Sequence, residues 1–125
     1  MSNYNILIIE DNFYEKELYK NLLKHERVNL TFTRLGEVVT KAIDTQPHII
    51  LCDAEEIEKD CSHIAKNVKN HPKLAEIPFI VISYRDLSVT YMKDKFIDGY
   101  IKKPFQEPER FIQEVSKYIK VNAFN

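Results

Sequence analysis

Glycine is nearly absent: the chain has two in 125 residues. A backbone cradle for phosphates needs several closely spaced glycines, so a nucleotide-binding loop of that kind is excluded. Cysteine is equally scarce. Cys52 and Cys61 stand nine apart, with no CxxC pair. That pattern offers neither a disulfide framework nor a zinc or redox motif, and it predicts two reduced structural thiols. No apolar run approaches the roughly 18 residues of a membrane helix. The start, Met1-Ser2-Asn3-Tyr4-Asn5, lacks the basic and apolar regions of a secretory signal. Both absences predict a cytoplasmic protein with no membrane partner. An excess of basic charge is missing too, since 18 Lys and Arg face 19 Asp and Glu. Direct binding to nucleic acid is not expected. The four histidines, His25, His48, His63 and His71, lack the clustering that metal ligation needs and read as surface or loop residues. There is no repeat, low-complexity tract or linker, and the length suits one domain, 1–125, with a core at about 4–121.

What is present is a series of short apolar runs that end in polar residues. Ile6-Leu7-Ile8-Ile9 leads into Glu10-Asp11, Ile49-Ile50-Leu51-Cys52 into Asp53, and Phe79-Ile80-Val81-Ile82 into Ser83. Tyr100-Ile101 leads through Lys102 into Lys103-Pro104. Such runs predict strands buried on both faces, as in a parallel sheet. Helical stripes alternate with them. Tyr14, Leu18, Leu22 and Leu23 mark a helix over Phe13 to His25, with Asn12 as its cap. Leu30 to Leu35 reads as a further strand, broken by Gly36. Val38, Val39, Ala42 and Ile43 mark a helix ending before Pro47, and Ile64, Ala65 and Val68 one ending before Pro72. Leu87 to Phe96 carries a weaker stripe. Pro108 opens a last helix bearing Phe111, Ile112, Val115, Tyr118 and Ile119, with Lys120 at its negative end. Alternating strands and helices predict an α/β fold: a doubly wound parallel sheet covered by helices on both faces, in three layers.

The carboxyl ends of such strands are where an open α/β sheet places its site. Glu10, Asp11 and Asp53 offer hard oxygen donors suited to Mg²⁺. Without a cation, three close carboxylates repel one another. A carboxylate can also attack phosphorus. The Ser83 hydroxyl and the Lys103 ammonium would then meet charge on phosphoryl oxygens.

Glu10-Asp11, Asp53, Ser83 and Lys103-Pro104-Phe105 resemble the active-site set of the response-regulator receiver domain of two-component signalling. The interval from Asp53 to Ser83, 83 − 53 = 30 positions, and the segment Asp98 to Phe105 carry the same resemblance. It implies a flavodoxin-like (βα)5 sheet in the order 2-1-3-4-5. It implies that Asp53 accepts a phosphoryl group from a histidine kinase or a histidine phosphotransfer protein. Glu10, Asp11, Asp53 and the backbone carbonyl of Glu55 would hold Mg²⁺. Ser83 and Lys103 would contact the phosphoryl oxygens, with Ser83 and Tyr100 as switch residues and a cis peptide between Lys103 and Pro104. The output would be the face made by the 87–96 segment, the last strand and the last helix, read by a downstream protein or by an output domain absent from these residues. Such a protein catalyses only its own phosphorylation and dephosphorylation.

Three departures stand out. Asp53 is followed by Ala54-Glu55-Glu56-Ile57, where receivers commonly carry Met-Pro and then a glycine. Tyr84 replaces a usually small residue and predicts slower phosphorylation and hydrolysis by covering the acceptor. Glu55 and Arg85 flank the entrance as an opposite-charge pair that would gate it. Gln113 stands where one DNA-binding subfamily has a dimer-contact arginine. Two other readings are a receiver-like interaction module that works without phosphate and a Mg²⁺-dependent phosphohydrolase using an aspartyl-phosphate. The second is disfavoured because Glu55, not an aspartate, lies two residues past Asp53.

Overall fold

The computed structural model describes residues 3–54, 58–85, 94–105 and 107–119. Five strands form one parallel sheet: β1 (Tyr4–Ile9), β2 (Val28–Thr33), β3 (Ile49–Asp53), β4 (Phe79–Ser83) and β5 (Gly99–Lys102). Their order is β2-β1-β3-β4-β5, with every neighbouring pair parallel. The helices are α1 (Phe13–Leu23), α2 (Val38–Thr45), α3 (Glu58–Lys69) and α4 (Pro108–Ser116). This is the flavodoxin-like arrangement expected above.

The apolar runs are continuous because both faces of the sheet are covered. Leu7, Ile9, Ile50, Cys52, Phe79 and Val81 face one core with Val38 and Ala42 of α2 and Ile64, Ala65 and Val68 of α3. Their alternates, Ile6, Ile8, Ile49, Leu51, Ile80 and Ile82, face a second core with Tyr19, Leu22 and Leu23 of α1 and Phe111 and Val115 of α4. Side chains alternate across a strand, so each run feeds both cores.

Local chemistry sets the element ends. The Asn12 side chain accepts the Glu15 backbone N–H at 3.0 Å and caps α1. Pro108 sits in the first turn of α4. At the end of α2, Gln46 takes a left-handed backbone (φ 48°), a place glycine usually fills. Its N–H donates to Ala42 O and its side-chain amide to Ile43 O. Below the sheet, Asp98 joins three elements: its Oδ2 accepts from Phe79 N–H and from Lys69 Nζ.

Several expectations are corrected. β2 runs Val28–Thr33 rather than Leu30–Leu35, because Leu35–Glu37 forms a 3-10 turn. On α1, Tyr14 and Leu18 are exposed, and the buried partner of Leu22 and Leu23 is Tyr19. Positions spaced by four drift about 40° per step around a 3.6-residue helix, so the line Leu22, Leu18, Tyr14 turns out of the core. α4 ends at Ser116; Tyr118 and Ile119 lie beyond it, and Ile119 still packs into the second core. Residues 86–93 and Lys120 lie outside the described residues. The 94–96 end of the expected fourth helical stripe is a turn in which Asp94 accepts the Phe96 N–H.

The cysteines are also corrected: Cys52 and Cys61 form a disulfide. Cys52 points from β3 into the first core, and Cys61 points into it from α3. Their Cα atoms lie 6.2 Å apart, within bridging distance. Spacing in sequence gives no hint of this, because the strand and helix that bring them together are defined only by the fold. Among the described residues, no helix is long and apolar enough to cross a membrane.

Candidate functional site

β3 and β5 end on the same edge of the sheet, and their last side chains meet there. By strand alternation Asp53 follows Leu51, and Lys103 follows Ile101, onto the α1/α4 side. Lys103 Nζ stands 2.6 Å from Asp53 Oδ2, with both side chains buried. The backbone between Lys103 and Pro104 is cis, as expected, and the Lys103 N–H donates to Ser83 O at 2.8 Å. Ser83 is buried beside this bond, and its Oγ accepts the Arg85 N–H at 3.1 Å.

α1 contributes two residues that composition and spacing did not single out. Glu15 Oε2 lies 3.4 Å from Lys103 Nζ. The Tyr19 hydroxyl, on a fully buried ring, donates to Asp53 Oδ2 at 2.6 Å. Glu15 and Tyr19 are four apart, one turn of the same helix, and a buried tyrosine needs a partner for its hydroxyl. That need was the available signal. Burial, then Asp53's charge and hydrogen bond, pushes the Tyr19 phenol far above its ordinary range, so it remains a proton donor.

Glu10 follows β1 and is half-buried. Its Oε1 accepts the Asn12 N–H at 3.0 Å. Burial raises its carboxyl to about 7, and the charges of Asp53 and Glu15 add to the rise; the Asn12 bond and Lys103 oppose it. Asp11, expected beside it, is exposed. Among the described residues, no three His, Cys, Asp or Glu side chains are gathered into a metal-binding group. The donor set still suits Mg²⁺, which keeps several waters and needs only one or two carboxylates. Glu10 and Asp53 are close enough to feel one another's charge, though burial is the larger cause of Glu10's rise.

The other expected residues divide. Tyr84 is 54% exposed, and its ring centroid lies 5.1 Å from Lys103 Nζ. Tyr100 is half-buried against the first core, on the opposite side of β5 from Lys103. Burial raises its phenol, with Asp94 and Tyr118 contributing. Arg85 is exposed. Glu55 lies outside the described residues, so the expected Glu55–Arg85 gate and the Glu55 carbonyl ligand do too.

The fold that carries this pair is shared with proteins of known structure. The receiver domain of the sensor histidine kinase PA1611 from Pseudomonas aeruginosa, crystallised with a magnesium ion in its active-site cleft, superposes with a TM-score of 0.78. It is 16% identical and covers 96% of this chain and 100% of its own. The chemotaxis response regulator CheY4 of Vibrio cholerae gives a TM-score of 0.80 at 15% identity, over 94% of this chain and 99% of its own. In sequence, the polar-differentiation response regulator DivK of Brucella ovis is 26% identical over 118 residues, 92% of this chain and 95% of that protein. No protein-family model matches.

The chain has the fold of a response-regulator receiver domain. Within this receiver fold the acidic pair after β1 is split: Glu10 is half-buried and feels the charge of Asp53, while Asp11 is exposed.

Proposed function

We propose that this chain is a single receiver unit of two-component signalling, spanning about residues 4–121, in which Asp53 accepts a phosphoryl group. The observation that carries this reading is the buried Lys103–Asp53 pair at the carboxyl edge of the sheet. An Asp53 oxygen attacks phosphorus, and the bond from phosphorus to the donor breaks, its electron pair leaving with the donor. Lys103 is placed to follow the charge from the carboxylate onto the phosphoryl group. The Ser83 hydroxyl accepts from Arg85 and has its own proton to donate to a phosphoryl oxygen. Glu10, Asp11 and Asp53 would hold Mg²⁺, with the Glu55 carbonyl as a further ligand. The ion supplies positive charge to the phosphoryl oxygens.

The donor is a phosphohistidine on a kinase or phosphotransfer protein. The response is a change at Ser83 and Tyr100 that biases the face around β5 and α4, read by a downstream protein. Chemistry on outside substrates is not part of this reading, and the cytoplasm is its proposed location. A second reading, an interaction module that works without phosphate, is favoured by one observation: Tyr84 already caps Lys103.

Beryllofluoride with Mg²⁺ separates them. The receiver reading expects an adduct that shifts the NMR signals of Ser83 and Tyr100 and is lost in Asp53→Asn. No adduct in the parent would leave the interaction module as the better account.

A further inference from the structure

We propose that Tyr19 is a positioning residue that holds the acceptor carboxylate in its unmodified state and so limits how fully Asp53 is occupied. This rests on reading Asp53 as the acceptor. The Tyr19 ring is fully buried and packs against the neighbouring rings of Phe111 at 5.8 Å and Phe105 at 6.2 Å. It rides on a helix fixed by the Asn12 cap and by Leu22 and Leu23. The hydroxyl therefore has little freedom to turn away. It reaches Asp53 Oδ2 at 2.6 Å, the same oxygen that Lys103 contacts.

An O–H to carboxylate bond of this length is charge-assisted. Phosphoryl transfer changes the acceptor: one Asp53 oxygen bonds to phosphorus, and the carboxylate becomes a neutral acyl group whose charge now sits on the phosphoryl oxygens. An acyl oxygen accepts more weakly than a carboxylate. Lys103 is a flexible chain that can follow the charge outward, whereas Tyr19, locked beneath, cannot. The phenol thus favours the empty acceptor, and its loss favours the adduct.

Tyr19→Phe keeps the ring and the core and removes only the hydroxyl. With Mg²⁺ present, its apparent affinity for beryllofluoride should rise about tenfold, the difference between a charged and a neutral hydrogen bond. The second measurement is independent of any adduct: the ¹³Cζ resonance of Tyr19, identified by its absence in Tyr19→Phe, should shift in Asp53→Asn. A role in packing alone would move neither. If the parent binds beryllofluoride but Tyr19→Phe binds it equally or more weakly, this proposal is overturned and the acceptor reading stands. A Tyr19 resonance indifferent to Asp53→Asn overturns it as well. If the parent binds none while the resonance still responds, the acceptor reading fails, and control of occupancy fails with it.

Discussion

Replacing Lys103 with methionine keeps an unbranched side chain one atom shorter and removes its charge. At 2.6 Å from Asp53, the ammonium contributes attraction of about 6 kcal/mol at an effective dielectric near 20. Glu15, 3.4 Å away, adds to this. Against it stands the cost of burying the ammonium, several kcal/mol, which methionine avoids. The variant still keeps Asp53 buried, with Glu10 and Glu15 nearby and the cation gone. Removing one partner of a buried pair typically costs about 3–5 kcal/mol. For a chain of this size that corresponds to a fall of roughly 10–20 °C in Tm. Urea unfolding in chelator, followed by tyrosine fluorescence, measures it; the slope should stay constant while the midpoint falls. Mg²⁺ should recover more stability in Lys103→Met than in the parent, because the ion no longer competes with an ammonium for the carboxylates. An unchanged or higher midpoint without metal would refute the reasoning, since the pair would then offset no more than its own desolvation.

Four further outcomes follow from the same geometry. Tyr84→Ala removes the ring over Lys103; it should cost only about 0.5–1 kcal/mol yet speed both phosphoryl uptake and loss, as measured by the half-life of the labelled protein. Gly99→Ala would push a Cβ into the Tyr118 ring; a cost of about 1–2 kcal/mol, with a displaced Tyr118 signal, is expected from thermal unfolding and NMR. Reducing the Cys52–Cys61 bridge, which closes a short loop, should lower stability by about 2–3 kcal/mol, seen as a lower urea midpoint with reductant than without. Glu10 is raised to about 7 in the fold from an ordinary 4.5, so the native state binds more protons in that window than the unfolded chain. Metal-free stability should therefore fall as pH rises from 4.5 to 7, and Mg²⁺ should flatten the fall.

The centre of the sheet was legible because β1, β3 and β4 are buried on both faces, which leaves dense apolar runs with polar ends. Asp53, Ser83 and Lys103 were legible for the same reason: a polar residue closing such a run lies at the sheet's carboxyl edge. Tyr19 was hidden by its helix. The spacing of Tyr14, Leu18 and Leu22 suggested a stripe, but a line at intervals of four leaves the core after two turns, and the inward line runs through Tyr19. Asp11 looked equivalent to Glu10 in sequence, yet the chain turns toward the Asn12 cap and leaves Asp11 in solvent. The cysteine bridge depends on how α3 lies against β3, which no local pattern encodes.

That bridge has a practical consequence for testing whether Asp53 is phosphorylated. Asp53 lies inside the covalent ring it closes, between Cys52 and Cys61. Trypsin cleaves after Lys41, Lys59 and Lys66, so Asp53 falls in peptide 42–59 and Cys61 in peptide 60–66. Under non-reducing conditions the two peptides travel as one species. A mass map seeking a phosphoryl group on Asp53 should look for that linked pair, and reduction before digestion should split the signal in two, with the added mass staying on the longer peptide.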